Sequence, residues 1–234
     1  MIPSACNTTA EAPLPGLRAL RDQALAGDRD AARTLIRQGG PLLPELLDNL
    51  LGHTPPRPSR ERQRLLILMG RLAAHWPDQL LVELARRPWH DAPAPALVDL
   101  LGCLEAMTGQ QQEAVIDIAL EIISEPERYD ISVRLPATEL LARLPRLRSA
   151  EILWWALASD PDWRIREAIL HGMETRPLLR APEAIPALSQ LHLDTELAAA
   201  RPALVARADA LLHRLRGEIA MGNVLESQAS EMLL

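Results

Sequence analysis

Phenylalanine is absent, tyrosine occurs once, and all 25 basic residues are arginine, so the chain has no lysine amine. Each absence excludes something. Without lysine there is no Schiff-base chemistry and no phosphate-binding P-loop. With so few aromatics, and with Ala and Leu dominating, strands lose the residues they prefer, and an all-α fold with almost no strand is expected. The two cysteines, Cys6 and Cys103, lie far apart, so neither a disulfide framework nor a thiolate metal cluster is indicated, and a reducing compartment fits. The six histidines are scattered with no HExxH and no compact spacing to carboxylates, so no metal and no cofactor is expected. His192 with Asp194, and His90 with Asp91, are the nearest approaches to acid-base pairs, and both read as turn residues. No GxSxG elbow is present. The opening residues lack the basic and apolar regions of a signal peptide, and no stretch has the roughly 18 uncharged apolar residues of a membrane span. The expectation is a cytoplasmic protein without membrane contact.

What is present is enough apolar residue for a core, 48% of 234 residues. It is arranged with helical periodicity. The clearest stretch, Leu147–Arg176, reads as a complete helix, turn and helix. Its second helix places Ile165, Ala168, Ile169, Gly172 and Met173 on one face. Asp160, Pro161 and Asp162 form its start, with Asp160 expected as the cap. An offset of 32 residues puts Val133, Pro136, Ala137, Leu140, Leu141 and Leu144 on the same template, with Arg134 where Arg166 falls. The chain therefore contains an internal repeat.

Extended along the chain, the same reading produces six helix pairs. They are Leu17–Leu25 with Asp30–Gln38, Pro41–Leu51 with Arg60–His75, Pro77–Arg86 with Pro95–Met107, Gln111–Ser124 with Asp130–Leu144, the pair above, and Pro182–Leu191 with Glu196–Arg216. Pro202 kinks the last helix or marks its true start. Residues 1–13 read as a flexible leader, 14–216 as the stack of pairs, and 217–234, set off by Gly217 and Gly222, as a tail or capping helix. Such regular pairing predicts an α-α superhelix, a solenoid in which each unit buries its apolar stripe on the next.

The runs AEILWWALASDPDWRIREAIL and, more loosely, AVIDIALEIISEPERYDISVR resemble HEAT repeats, the match being clearest over residues 111–176. That resemblance implies a ladder between repeats made by turn aspartates and the arginine that opens the second helix. Asp160, Arg166 and Arg134 would then be structural.

Turns within pairs are mostly acidic, including Asp28, Asp130, Asp160, Asp162 and Asp194, whereas turns between pairs carry arginines such as Arg37, Arg143, Arg148 and Arg176. Helix capping explains this pattern, and so does an edge that docks a charged partner. On the helix read from Ala150 to Ser159 the inward stripe is Ile152, Leu153, Ala156 and Leu157. Trp154 and Trp155 fall on either side of it, so both cannot fill the core of their own pair. Packing on a neighbouring repeat and anchoring a partner are the two readings. The function expected is that of a non-catalytic scaffold, adaptor or neutralising binder of another protein, with Trp154, Trp155 and Trp163 as anchors and Arg134 and Arg166 adjoining. LWWALASDPDWRIREAIL also resembles the tryptophan-rich repeats of HEAT-like alkylpurine DNA glycosylases, which would turn attention to Trp154, Trp155, Asp160, Trp163 and Arg166. HEAT-like phycobilin lyases share the architecture. A net charge of −6 and dispersed arginines disfavour nucleic acid.

Overall fold

A computed structural model describes residues 15–52, 59–144 and 146–231. The expected leader, residues 1–13, lies outside them. Among the described residues there are thirteen α-helices and no strand. The helices are α1 (Pro15–Ala26), α2 (Arg29–Gln38), α3 (Leu43–Leu50), α4 (Ser59–His75), α5 (Pro77–Ala85), α6 (Ala94–Leu104), α7 (Gln112–Ser124), α8 (Ile131–Arg143), α9 (Leu147–Ser159), α10 (Trp163–Thr175), α11 (Ile185–Leu193), α12 (Thr195–Ala200) and α13 (Pro202–Glu231). The chain divides into two compact units, residues 1–115 and 116–234.

In the first unit α1 and α2 form a hairpin whose turn is closed by Gly27, at φ +111. A side chain there would be strained, and its Cβ would lie 2.9 Å from the Arg64 guanidinium. α2 packs on α4, α3 on α5, and α4 on α6. The core is almost all leucine: Leu35, Leu46, Leu47, Leu72 and Leu80 are completely buried. Polar side chains fasten the layers. Trp76 Nε1 donates to the Ile36 carbonyl at 2.8 Å, and Arg87 reaches Asp48, Glu83 and the Pro44 carbonyl together.

In the second unit α8 packs on α10, α9 on α10 and α11, and α11 on α13. Ile165, Ile169, Gly172 and Met173 form the buried stripe of α10, matched on α8 by Val133, Ala137, Leu140 and Leu141. Within each unit this packing is compatible with stacked helix pairs. Gly172 is there for space, since a Cβ would meet Leu179 at 3.1 Å and Ala142 at 3.3 Å.

Two boundaries differ from expectation and a third, at Pro202, follows one of the two readings the sequence offered, each for a local reason. The cap of α10 is Asp162, whose carboxylate accepts from the Arg164 amide, because Asp160 is turned inward to a different task. The second helix of the last pair breaks at Arg201, and α13 begins at Pro202, where the missing amide would have had no helical partner anyway. α13 then runs to Glu231 with no interruption at Gly217 or Gly222, so its end is not a separate element. Helical glycine costs only about 1 kcal/mol, which thirty residues of one helix absorb.

Candidate functional site

The acidic turns are largely capping groups. Asp28, Asp130, Asp162 and Asp194 each accept a backbone amide at the start of α2, α8, α10 and α12. The last three recur at intervals of 32 residues. The amide of Leu197 and the guanidinium of Arg166 together hold the Asp194 carboxyl below the usual aspartate range, and Arg164 does the same for Asp162.

Arg134 and Asp160 make the most enclosed ion pair among the described residues of the second unit. Their side chains are 4% and 3% exposed, and Nη2 of Arg134 donates to Asp160 Oδ2. The same guanidinium donates to the Ile123 carbonyl at the end of α7, and Asp160 Oδ1 accepts the Asp162 amide at 2.8 Å. Burial pushes the Asp160 carboxyl upward, opposed by that amide and by Arg134. At the position 32 residues on, Arg166 donates to the Asp160 carbonyl and, at 2.7 Å, to Asp194 Oδ2. Arginines 32 residues apart thus each bind one main-chain carbonyl and one aspartate, though not at equivalent positions. In one turn Asp160 and Asp162 divide the work of ion pairing and capping, while in the next Asp194 does both.

The tryptophans expected as one anchor cluster are dispersed. Trp154 is 6% exposed, and its indole N–H donates to the Leu179 carbonyl at 3.0 Å. It therefore belongs to the packing between α9 and the segment after α10, and is no surface anchor. Arg134, 3% exposed, is equally closed to a partner. These two assignments are corrected by burial: each side chain already has its partners inside the fold. Trp163 is half-buried, with the Arg201 guanidinium 3.8 Å from its ring centroid in a cation–π contact. Arg166 is committed to Asp160 and Asp194. Trp155 alone of the five is open, at 50% exposure. It stands one helical face with Glu151 and with Leu147, itself 56% exposed, at successive i+4 positions of α9.

Sequence reasoning did not single out Arg207 on α13. It grips Glu174 with two bonds of 2.8 and 2.9 Å, reaches Glu167, and holds the Glu174 carboxyl below its ordinary value. His192 pairs with Asp209 at 2.7 Å, not with Asp194, because α13 brings Asp209 against α11. Among the described residues no three His, Cys, Asp or Glu side chains gather as a metal site, and no helix is long and apolar enough to cross a membrane. Of the positions nominated by the glycosylase resemblance, Trp154 and Asp160 are both buried in structural contacts.

Comparison of the chain with protein-family models, with curated proteins and with solved structures finds no match in any of the three.

Proposed function

We propose that this chain is a HEAT-like α-solenoid that binds another protein without catalysing a reaction. The supporting observation is the contrast between neighbours on α9. Trp154 is buried and hydrogen-bonded, whereas Trp155 keeps half its surface in water beside Leu147. An indole whose burial the fold does not need is the kind of side chain that carries binding energy when a partner covers it. The titratable groups support the same reading, since Asp160, Asp162, Asp194 and Glu174 are engaged in caps and ion pairs. Arginines 62, 87, 134, 148, 166 and 207 are paired with carboxylates of the chain itself, so these six are already engaged within the fold.

The test compares Trp155→Ala with Trp154→Ala in capture of a stoichiometric protein partner from host lysate, before and after nuclease. Trp155→Ala is expected to abolish capture while leaving stability within about 0.5 kcal/mol, as surface substitutions do. Trp154→Ala is expected to cost about 3–5 kcal/mol through the cavity it leaves. Retained capture by Trp155→Ala, or capture lost to nuclease, would sink this reading.

A further inference from the structure

A cavity of about 600 Å³ opens between α2 and α4 in the first unit. Its two walls carry matching patterns. α2 presents Arg29, Arg33 and Ile36 at i, i+4 and i+7, and α4 presents Arg64, Ile67 and Arg71 at i, i+3 and i+7. The groove is therefore about 10 Å long at 1.5 Å per helical residue, with guanidinium groups from both walls and an aliphatic floor. Ile67 is 54% exposed there, an apolar group that the fold leaves in water. The single lining acid, Asp28, has its carboxylate turned to the amides of Asp30 and Ala31.

The four cations are not equally occupied. Arg64 is held in place by donation to the Leu25 carbonyl at 2.7 Å and lies against Gly27, where no Cβ obstructs it. Arg33 makes an exposed ion pair with Asp30. The side chains of Arg29 and Arg71 have no hydrogen bond or ion pair among the described residues. A chain of net charge −6 thus concentrates positive charge around one apolar floor. Planar guanidinium forks with a hydrophobic strip between them fit carboxylates spaced along a helix that also carries an aliphatic side chain.

We infer that the α2–α4 groove is a docking site for an acidic, amphipathic segment of a partner protein. Two features favour this occupant over nucleic acid. The groove has no aromatic ring on which a base could stack, and its floor of Ile36 and Ile67 is matched by side-chain methyl groups, not by a phosphate backbone. The negative charge on the rest of the molecule also opposes a long polyanion more than it opposes a short helix that presents only a few carboxylates to the groove. The inference goes beyond the α9 face, which lies in the other unit.

The test is fluorescence anisotropy of the full chain with a fluorescein-labelled helical peptide of Glu, Leu and Ala, about fifteen residues long so that the helix is tenable. Salt-sensitive binding is expected, absent when Gln replaces Glu in the peptide. The double reversal Arg29→Glu/Arg71→Glu is expected to weaken it by about tenfold or more, because both attractive pairs become repulsive. Arg214→Glu/Arg216→Glu, which changes net charge equally outside the groove, is expected to leave affinity unchanged, as is Trp155→Ala. Ile67→Ser is expected to weaken binding severalfold with an unchanged melting temperature. Equal loss in the two double reversals, loss in Trp155→Ala, full affinity in the groove reversal, or displacement of the peptide by an oligodeoxythymidine would each overturn the inference.

Discussion

Replacing Arg134 by Met removes a guanidinium but keeps most of its volume, so the result reports charge more than packing. Asp160 is then left 5% exposed with only the Asp162 amide and the more distant Arg166 to support its charge. Breaking one partner of a buried pair costs about 3–5 kcal/mol. In a chain of this size that corresponds to a fall in melting temperature of roughly 6–20 °C, at about 2–4 °C per kcal/mol. Asp160→Asn strands Arg134 instead, leaving only its bonds to the Ile123 carbonyl, and is expected to cost a similar amount. The double variant removes both charges and should cost less than the sum of the singles by about 1–3 kcal/mol. Urea unfolding with comparison of slopes is the assay, since a changed slope would signal separate unfolding of the two units. A pH series supplies an independent sign. Burial already raises the Asp160 carboxyl in the folded chain, and losing Arg134 raises it further. The folded state of Arg134→Met therefore takes up a proton before the unfolded state does. Its deficit should shrink as pH falls from that raised value toward the ordinary aspartate value of about 3.9. A single-variant cost below about 1 kcal/mol, where this pair should give several, or strict additivity in the cycle, would refute the argument that this pair ties α7, α8 and the α9–α10 turn together.

Two further outcomes follow from the titratable groups. Asp162, Glu174 and Asp194 all titrate below their ordinary values, so the stability they contribute is present above about pH 4 and lost as pH falls through their folded-state values. The melting temperature measured at constant ionic strength should accordingly drop between about pH 4 and pH 2, and a rise over that range would contradict the assignment. Cys103 is 2% exposed and its thiol is pushed up to about 12 by burial first and by Asp99 second. Peptide mapping after iodoacetamide treatment of the native chain at neutral pH should find Cys103 unmodified, becoming labelled only in denaturant, since the thiolate is the reactive form. Rapid native labelling would mean that α6 opens readily.

Much of the helix register was legible because apolar spacing dictates which face of a helix leaves water. The stripes of α8 and α10 follow the sequence pattern closely, and Pro202 stands where a helix begins. Caps were legible at Asp28, Asp130 and Asp194, but the choice within the α9–α10 turn was not. Asp160 and Asp162 are chemically alike and two residues apart, and only the presence of Arg134 inside the fold decides which carboxylate turns inward. Trp154 and Trp155 present the same difficulty. Their periodicity places them on opposite flanks of one stripe, but which flank the next helices cover depends on where the segment carrying Leu179 runs. Arg207 and Asp209 gave no local signal, since their partners Glu174 and His192 are distant in sequence.

The α2–α4 groove separates the two kinds of information. Each of its walls is visible in sequence as arginine and aliphatic residues spaced along one helical face, and that spacing follows from 3.6 residues per turn alone. That the two faces meet, with Arg29 and Arg71 unpaired and Ile67 in water between them, depends on the packing of α2 against α4. Sequence by itself determined the all-helical composition, the apolar stripes of α8 and α10 and the recurring arginine, because these rest on short-range periodicity and charge. Tertiary structure decided which of several equivalent side chains are buried, which are neutralised and which remain open, because burial and ion pairing depend on residues that are distant along the chain and adjacent in the fold.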